Sequence, residues 1–449
     1  LRIVIVGAGE VGRHLAASLQ AEAELILIDA NARDLAAAEE GLDVLTLAGD
    51  GTHRSVLRKA EVHRADLVVA VTSNDAINVV IAALARELGA ARTVARVDDP
   101  SFYTTDRGFE AGVLGIEATL CASRLVGVEF LRSLAAVRAR QVVPCAGGLV
   151  QVATHVLGED SPLLTRSRAR ATTWPDPIRA IVRTGQLRPS ATVEHAELGD
   201  VVLMACAPLE LLELLHELTP SVGKLRTTIV GGGDVGLQLA ELLAPRGFLD
   251  RLLEVDRARC WALAERLHDV QVLHGDGTNI SFLRDEQIGR ADALLAVTGS
   301  DEANLMTSLL ARELGVEHVF ALVHRPGYAG VYSHLGVTGT ASPHETIADV
   351  MRSLLPRGVI VGRSPLSELG VDVVELRPGA GTRVADLPLP SGAIPLVVAG
   401  RTIKPPKPRT ALEAEDVLVV AMPSGRVPEL EKSLRRHNPA QDNKKGVYE

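Results

Sequence analysis

The chain has 449 residues, room for three or four domains of ordinary size, and its 47% hydrophobic and 23% charged residues exclude a disordered or fibrous polypeptide. Its 47 Lys and Arg against 56 Asp and Glu leave a net charge of −9, which argues against nucleic acid as the main partner. Aromatic residues make up only 3%, so the core must be built from Ala, Val, Leu and Ile, a composition that suits layered α/β packing.

Along the chain, Ile3 to Val6 reads as a strand, Val11 to Gln20 as a helix, Leu25 to Ile28 as a strand and Ala32 to Glu40 as a helix. Strands then follow at Val44 to Leu47, Leu67 to Val71 and Thr93 to Val97, with a helix over Asn78 to Leu88. Short, near-continuous apolar strands alternating with helices predict a doubly wound parallel sheet, a Rossmann-like α/β lobe. Gly7-Ala8-Gly9-Glu10-Val11-Gly12 stands between the first strand and first helix. In that setting the first glycine makes the turn, the second admits a pyrophosphate and the third lets helix and strand pack. The helix N-terminus offers unpaired N–H groups and partial positive charge to the phosphates. Asp29 ends the second strand, where a carboxylate can accept the ribose hydroxyls of an adenosine and repel a 2′-phosphate. NAD is therefore expected over NADP. Thr72 closes the fourth strand, at the edge where ligands of open sheets bind, and Arg96 on the fifth strand is within reach of phosphate. Asp50, after the third strand, suits a turn as well as it suits ligand contact.

Beyond about residue 137 the pattern changes. Val142 to Val156, Ile178 to Val182 and Val201 to Ala205 are strand-like, separated by Pro and Gly turns, and Glu210 to Leu218 closes them as a helix. This predicts a small α+β lobe over residues 138–222.

The first lobe then repeats at an offset of about 225 residues. Gly231-Gly232-Gly233-Asp234-Val235-Gly236 matches the first glycine segment, and Gly275-Asp276-Gly277-Thr278 matches Gly49-Asp50-Gly51-Thr52. Asp292 through Thr298 to Asp301 and Asn304 matches Asp66 through Thr72 to Asp75 and Asn78. Glu254 takes the place of Asp29, with Asp256 two residues on as a substitute for it; Leu322 takes the place of Arg96, with His324 and Arg325 nearby. A weaker repeat joins Gly185 to Val201 with Arg401 to Val417. The expected layout is large lobe 1–137, small lobe 138–222, large lobe 223–356, small lobe 357–435 and a polar tail 436–449.

No stretch approaches the roughly 18–20 apolar residues of a membrane-spanning helix, and the residues after Arg2 do not form a secretory signal. Cys121, Cys145, Cys206 and Cys260 are scattered, as buried thiols of a cytosolic protein would be. Histidines such as His14, His53, His155, His274 and His344 form no visible constellation, so solvent-facing or capping roles are expected for them and no metal site. A dehydrogenase would need a placed acid or base and a pocket beside the nicotinamide, neither of which the sequence displays. Two adenosine-binding lobes without catalytic equipment predict a sensor rather than an enzyme.

From Arg2 to about Arg435, these features resemble the TrkA-type regulatory subunits of Trk potassium uptake systems, built of RCK (KTN) units. The residues that carry the likeness are the two glycine segments, the two Gly-Asp-Gly-Thr segments, Val71-Thr-Ser-Asn-Asp75, Val297-Thr-Gly-Ser-Asp301 and the small lobe after each large one. The resemblance implies a first nucleotide site at Gly7 to Val11, Asp29, Thr72 and Arg96, and a second at Gly231 to Val235, Glu254 and Thr298. It implies NAD or NADH in the first, and NAD(H) or ATP/ADP in the second. It further implies a cytoplasmic homo-oligomeric ring, a tetramer, lying on the inner face of the membrane against a Trk-type channel subunit. An NAD-binding regulator of another transporter, such as an antiporter, is the first alternative and an NAD-dependent oxidoreductase the second. Where the family commonly reads Ser-Pro-Glu, the second half has Ser342-Pro-His-Glu345 and the first Leu120-Cys-Ala-Ser123, so the two halves differ.

Overall fold

A computed structural model describes residues 1–99, 109–110, 115–167, 174–325, 327–355, 359–400, 402–414 and 416–437. The chain forms two compact units, Leu1–Phe130 with Leu225–Leu355 and Leu131–Lys224 with Pro356–Glu449. Chain order therefore alternates between them.

In the first unit, the first lobe runs β1 (Arg2–Val6), α1 (Glu10–Leu19), β2 (Glu24–Asp29), α2 (Ala32–Glu39), β3 (Leu45–Ala48), α3 (Arg54–Lys59), β4 (Leu67–Ala70), α4 (Asp75–Glu87), β5 (Thr93–Arg96), β6 (Phe109–Glu110), β7 (Ala118–Leu120) and α5 (Ala122–Ala136). Its sheet order is β3-β2-β1-β4-β5-β7-β6, parallel throughout except for β6, which pairs antiparallel with β7. The order reverses between β1 and β4, so their carboxyl ends frame the crevice in which such sheets hold ligands. Ile3 to Val6 and Leu67 to Ala70 are buried on both faces, as a parallel sheet covered by helices requires.

The small lobe that follows has β8 (Gln141–Cys145), β9 (Val150–Val156), α6 (Pro162–Ser167), β10 (Ile178–Arg183), β11 (Gln186–Pro189), β12 (Val201–Cys206) and α7 (Pro208–Leu218). The strand-like run from Val142 to Val156 is a hairpin, not one strand. Gly147 (φ +65°) and Gly148 (φ +90°) take left-handed conformations that only glycine adopts at little cost, and the chain reverses there.

The second large lobe repeats the first: β13 (Thr227–Val230), α8 (Asp234–Leu243), β14 (Leu249–Glu254), α9 (Arg257–Arg266), β15 (Gln271–His274), α10 (Ile280–Asp285), β16 (Ala293–Ala296), α11 (Asp301–Glu313), β17 (His318–Leu322), α12 (Ala329–His334), β18 (Gly339–Ala341) and α13 (Pro343–Leu354). Its parallel sheet has the order β15-β14-β13-β16-β17-β18. The second small lobe comprises β19 (Ile360–Leu366), β20 (Val371–Leu376), β21 (Ile394–Ala399), β22 (Ile403–Lys404), β23 (Val417–Pro423) and α14 (Val427–His437). Sheets β8-β9-β12-β10-β11 and β19-β20-β23-β21-β22 are antiparallel and share one strand order. The two pack together through Val150, Val152 and Leu203 on one side and Val371, Val373 and Val419 on the other. The closing helix reaches His437, into the expected tail; residues 438–449, and Arg401 and Glu415 of the small-lobe repeat, lie outside the described residues.

In the first unit, the last helix of each large lobe lies on the other lobe. Ile347, Ala348, Met351 and Leu354 of α13 join the core of the first lobe beneath α1, where Ile3, Leu15 and Leu19 sit. Reciprocally, Gly127 of α5 lies against Leu239 and Leu242 of α8. These helix-on-helix contacts, α13 with α1 and α5 with α8, join the two large lobes in one compact unit.

Candidate functional site

Two glycine turns open the candidate sites, and each glycine answers a different steric demand. Gly7 sits at φ +114°, where a Cβ would stand 2.9 Å from the backbone of Val71 and Thr72. At Gly12 a Cβ would lie 1.8 Å from the Gly7 carbonyl oxygen, so helix and strand approach closer than any side chain allows. Gly9 differs: nothing stands within 4 Å of where its Cβ would be, and as N-cap of α1 it supplies no capping side chain. The open face there fits an anionic pyrophosphate against the N–H groups of Glu10 and Val11. Gly231 (φ +108°), Gly236 (1.9 Å from the Gly231 oxygen) and the open Gly233, ahead of Asp234 and Val235 on α8, repeat all three features.

The acidic residues that end the second strands brace these turns. Asp29 Oδ2 accepts the Ala8 N–H at 2.6 Å and Oδ1 accepts that of Asn31 at 2.8 Å. Glu254 does the same with Gly232 (2.7 Å) and Asp256 (2.8 Å), its longer side chain reaching the same donor position. The reading of Asp256 as a substitute for Glu254 is corrected by its role as N-cap of α9, where its carboxylate accepts the Arg259 N–H. Asp256→Ala is therefore expected to cost about 1 kcal/mol in a urea melt and to leave nucleotide affinity within about twofold. An arginine holds each middle carbonyl, from different helices: Arg13 of α1 on Ala8 O (3.0 Å), Arg259 of α9 on Gly232 O (2.8 Å).

Asp50 and Asp276 form turns. Each Oδ1 accepts the N–H and the hydroxyl of the threonine two residues on, Thr52 or Thr278, at 2.8 and 2.7 Å. Those bonds, the N–H first, hold both carboxyls below the ordinary range. Thr72 and Thr298 do stand at the strand ends, but their N–H and hydroxyl groups are committed to Asn78 and Asn304 at 2.8 and 2.7 Å. Arg96 pairs with Asp98 at 2.5 Å, and no cation replaces it at Leu322.

Several residues escaped the sequence reading. Asn78 is fully buried, and its amide nitrogen donates to Thr72 O (3.0 Å) and Arg96 O (2.9 Å), tying β4 to β5; Asn304 ties Thr298 to Leu322 identically. Asp301, nearly buried, accepts the N–H groups of His324 and Arg325 and faces His324 Nδ1 at 3.0 Å. Burial raises its carboxyl, but those donors outweigh it and the net displacement is downward.

Three histidine expectations need correction. His344 is buried, its ring centroid 5.3 Å from that of His14 and its Nε2 3.8 Å from Glu10 Oε1, at the first glycine turn. His155 is buried too, Nδ1 3.2 Å from Arg138 O. Only the fold, which lays α13 on α1, brings residues 14 and 344 together. No group of three His, Cys, Asp or Glu side chains is set to hold a metal ion among the described residues. No helix among them is long and apolar enough to cross a membrane.

The family model of the TrkA-N domain matches residues 3–112 and 227–343. The chain is 32% identical to a Trk system potassium uptake protein TrkA homolog of Archaeoglobus fulgidus, over 97% of this chain and 100% of that one. It is 29% identical to a Trk system potassium uptake protein TrkA of Azorhizobium caulinodans, over 94% and 95% respectively. A solved structure of the GsuK channel bound to NAD superposes with a TM-score of 0.56 at 19% identity, covering 97% of this chain and 79% of that one, a likeness of fold.

Proposed function

Since the chain belongs to the TrkA family of Trk potassium uptake proteins, we propose that it is a nucleotide-sensing subunit that gates a Trk-type membrane potassium transporter. The observation that carries this reading is the pair of open glycine turns, each braced by a carboxylate and free of side chains where phosphate would lie. The Glu10 and Val11 N–H groups hold a pyrophosphate, and Asp29, whose oxygens already accept the Ala8 and Asn31 N–H groups, also accepts ribose hydroxyls, which favours NAD or NADH. In the second site Glu254 takes that part, with NAD(H) or ATP/ADP as ligand. The relatives bear the names of transport proteins, not of enzymes.

Gating follows from the exchange of α5 and α13. A nucleotide in either crevice contacts a helix, α1 or α8, on which the other lobe rests, so binding favours one arrangement of the two lobes. A gate moved from mostly closed to mostly open needs roughly 5 kcal/mol of differential binding, which several sites of ~1–3 kcal/mol each supply together. Assembly of copies into a ring, a tetramer, on the cytoplasmic face of the membrane is supported by exposed apolar side chains at matched places, Val80 on α4 and Met306 on α11, with Ile77, Val331 and Leu335. Co-purification with a Trk-type membrane subunit and loss of potassium uptake on deleting this chain are the expected results. Normal uptake after deletion, or association with an antiporter instead, would overturn the reading.

A further inference from the structure

The two seams made by the exchanged helices are related by the internal repeat, yet the histidine pair of one has no counterpart at the matched positions of the other. Where α13 lies on α1, His344 meets His14 with ring centroids 5.3 Å apart. At the matched positions of the α5–α8 seam stand Ser123 and Gln238, which do not titrate. His344 is 8% exposed, its Nδ1 is buried without a partner, and its Nε2 faces Glu10 at 3.8 Å. The pair borders a cleft also lined by Glu10, Arg13, Ala17, Ala37, Gly41 and Leu42, which gives protons a route in from solvent.

Charged groups surround the pair on every packed element. Glu10 and Arg13 come from α1, Glu345 and Arg352 from α13, His324 follows β17, and Arg96 ends β5. Burial is the largest influence on both rings and favours the neutral form. For His14, Glu345 and Glu10 oppose it while Arg352 assists; for His344, Glu10 opposes it while His14, His324 and Arg96 assist. Both rings consequently titrate below the ordinary imidazole value of 6.5. The sign follows directly. The separated seam takes up protons at a higher pH than the packed one, so the packed seam has its full stability above pH 6.5 and loses it as the pH falls through and below that value.

We propose that the α1–α13 seam is a proton-responsive joint between the two large lobes: acidification charges His14 and His344, loosens α13 on the first lobe, and leaves the α5–α8 seam unaffected. Charging puts two cations side by side against the apolar contacts of Ile347, Met351 and Leu354 with Leu15 and Leu19, and the attraction of Glu10 and Glu345 is outweighed by the burial of both rings and by their mutual repulsion. Glu10 stands both at the first glycine turn and beside His344, so proton uptake at the seam and nucleotide binding at the first turn act on one helix. That last consequence rests on the nucleotide reading given above; the joint itself does not.

Hydrogen exchange of the full chain at pH 7.5 and 5.5, expressed as protection factors, tests the joint, with α5 as internal reference. Protection in α13 is expected to fall roughly 5-fold or more relative to α5, and the double variant His14→Gln, His344→Gln is expected to remove the difference. An equal response of α13 and α5, or a response that survives in the double variant, would overturn the proposal. NADH titration of both proteins at the two pH values reports the coupling separately: a pH effect on affinity that disappears in the variant supports it. Absence of NAD, NADH, ATP and ADP binding at both pH values would refute the nucleotide reading, while the exchange result would still decide the joint.

Discussion

Alanine at position 12 is expected to abolish nucleotide binding at the first turn and to destabilise the first unit by about 3 kcal/mol. The Cβ would stand 1.8 Å from the Gly7 carbonyl oxygen. Neither partner can yield easily, because Gly7 is fixed at φ +114° against the backbone of Val71 and Thr72, and position 12 lies in the first turn of α1. Relief requires α1 to move away from β1, and α1 carries both the phosphate-facing N–H groups and the surface on which α13 rests. Gly236→Ala, 1.9 Å from the Gly231 oxygen, is expected to do the same to the second turn and spare the first. Urea melts and NADH titrations of the two variants check this. Retention of both affinities in either variant would show that the turns are not where nucleotide binds.

The second large effect belongs to Asn78. Its side chain makes four hydrogen bonds at full burial: it accepts the Thr72 N–H and hydroxyl, and donates to Thr72 O and Arg96 O. Asn78→Ala removes all four at once and leaves the part-buried Thr72 N–H and two carbonyl groups without their partner. At ~1–3 kcal/mol for each group left unsatisfied, a loss of roughly 3–5 kcal/mol is expected. Asn304→Ala, which strips the same bonds from Thr298 and Leu322, is expected to match it. Equilibrium unfolding in urea provides the measurement, and losses under about 1 kcal/mol would show that the clamp is not what joins the fourth and fifth strands.

The glycine turns were legible in the sequence because backbone demands are written in residue type. Only glycine satisfies Gly7 and Gly12, and the strand before and helix after each segment are visible as changes of apolar period. The duplication was legible for the same reason, since both copies must meet the same demands. Asn78 was visible as part of the repeat but not as a clamp, because its four partners lie in the ends of β4 and β5 and nothing in a helical run says which polar residue turns inward. Asp256 misled because a carboxylate near a strand end and a carboxylate at an N-cap look alike until the start of the following helix is placed. The exchange of α5 and α13 was not legible at all. An apolar stripe states that a helix must be covered, not which of two similar lobes covers it, and the meeting of His14 with His344 follows from that choice.

Calorimetric titration of the full chain with NAD, NADH, ATP and ADP, beside the variants Asp29→Ala and Glu254→Ala, tests the central claim most directly. Two nucleotides per chain are expected for the unaltered protein, with the first site weakened by Asp29→Ala and the second by Glu254→Ala, each by roughly 10-fold or more, as loss of a charged hydrogen bond implies. Binding that persists unchanged in both variants, or no binding of any of the four nucleotides, would contradict it.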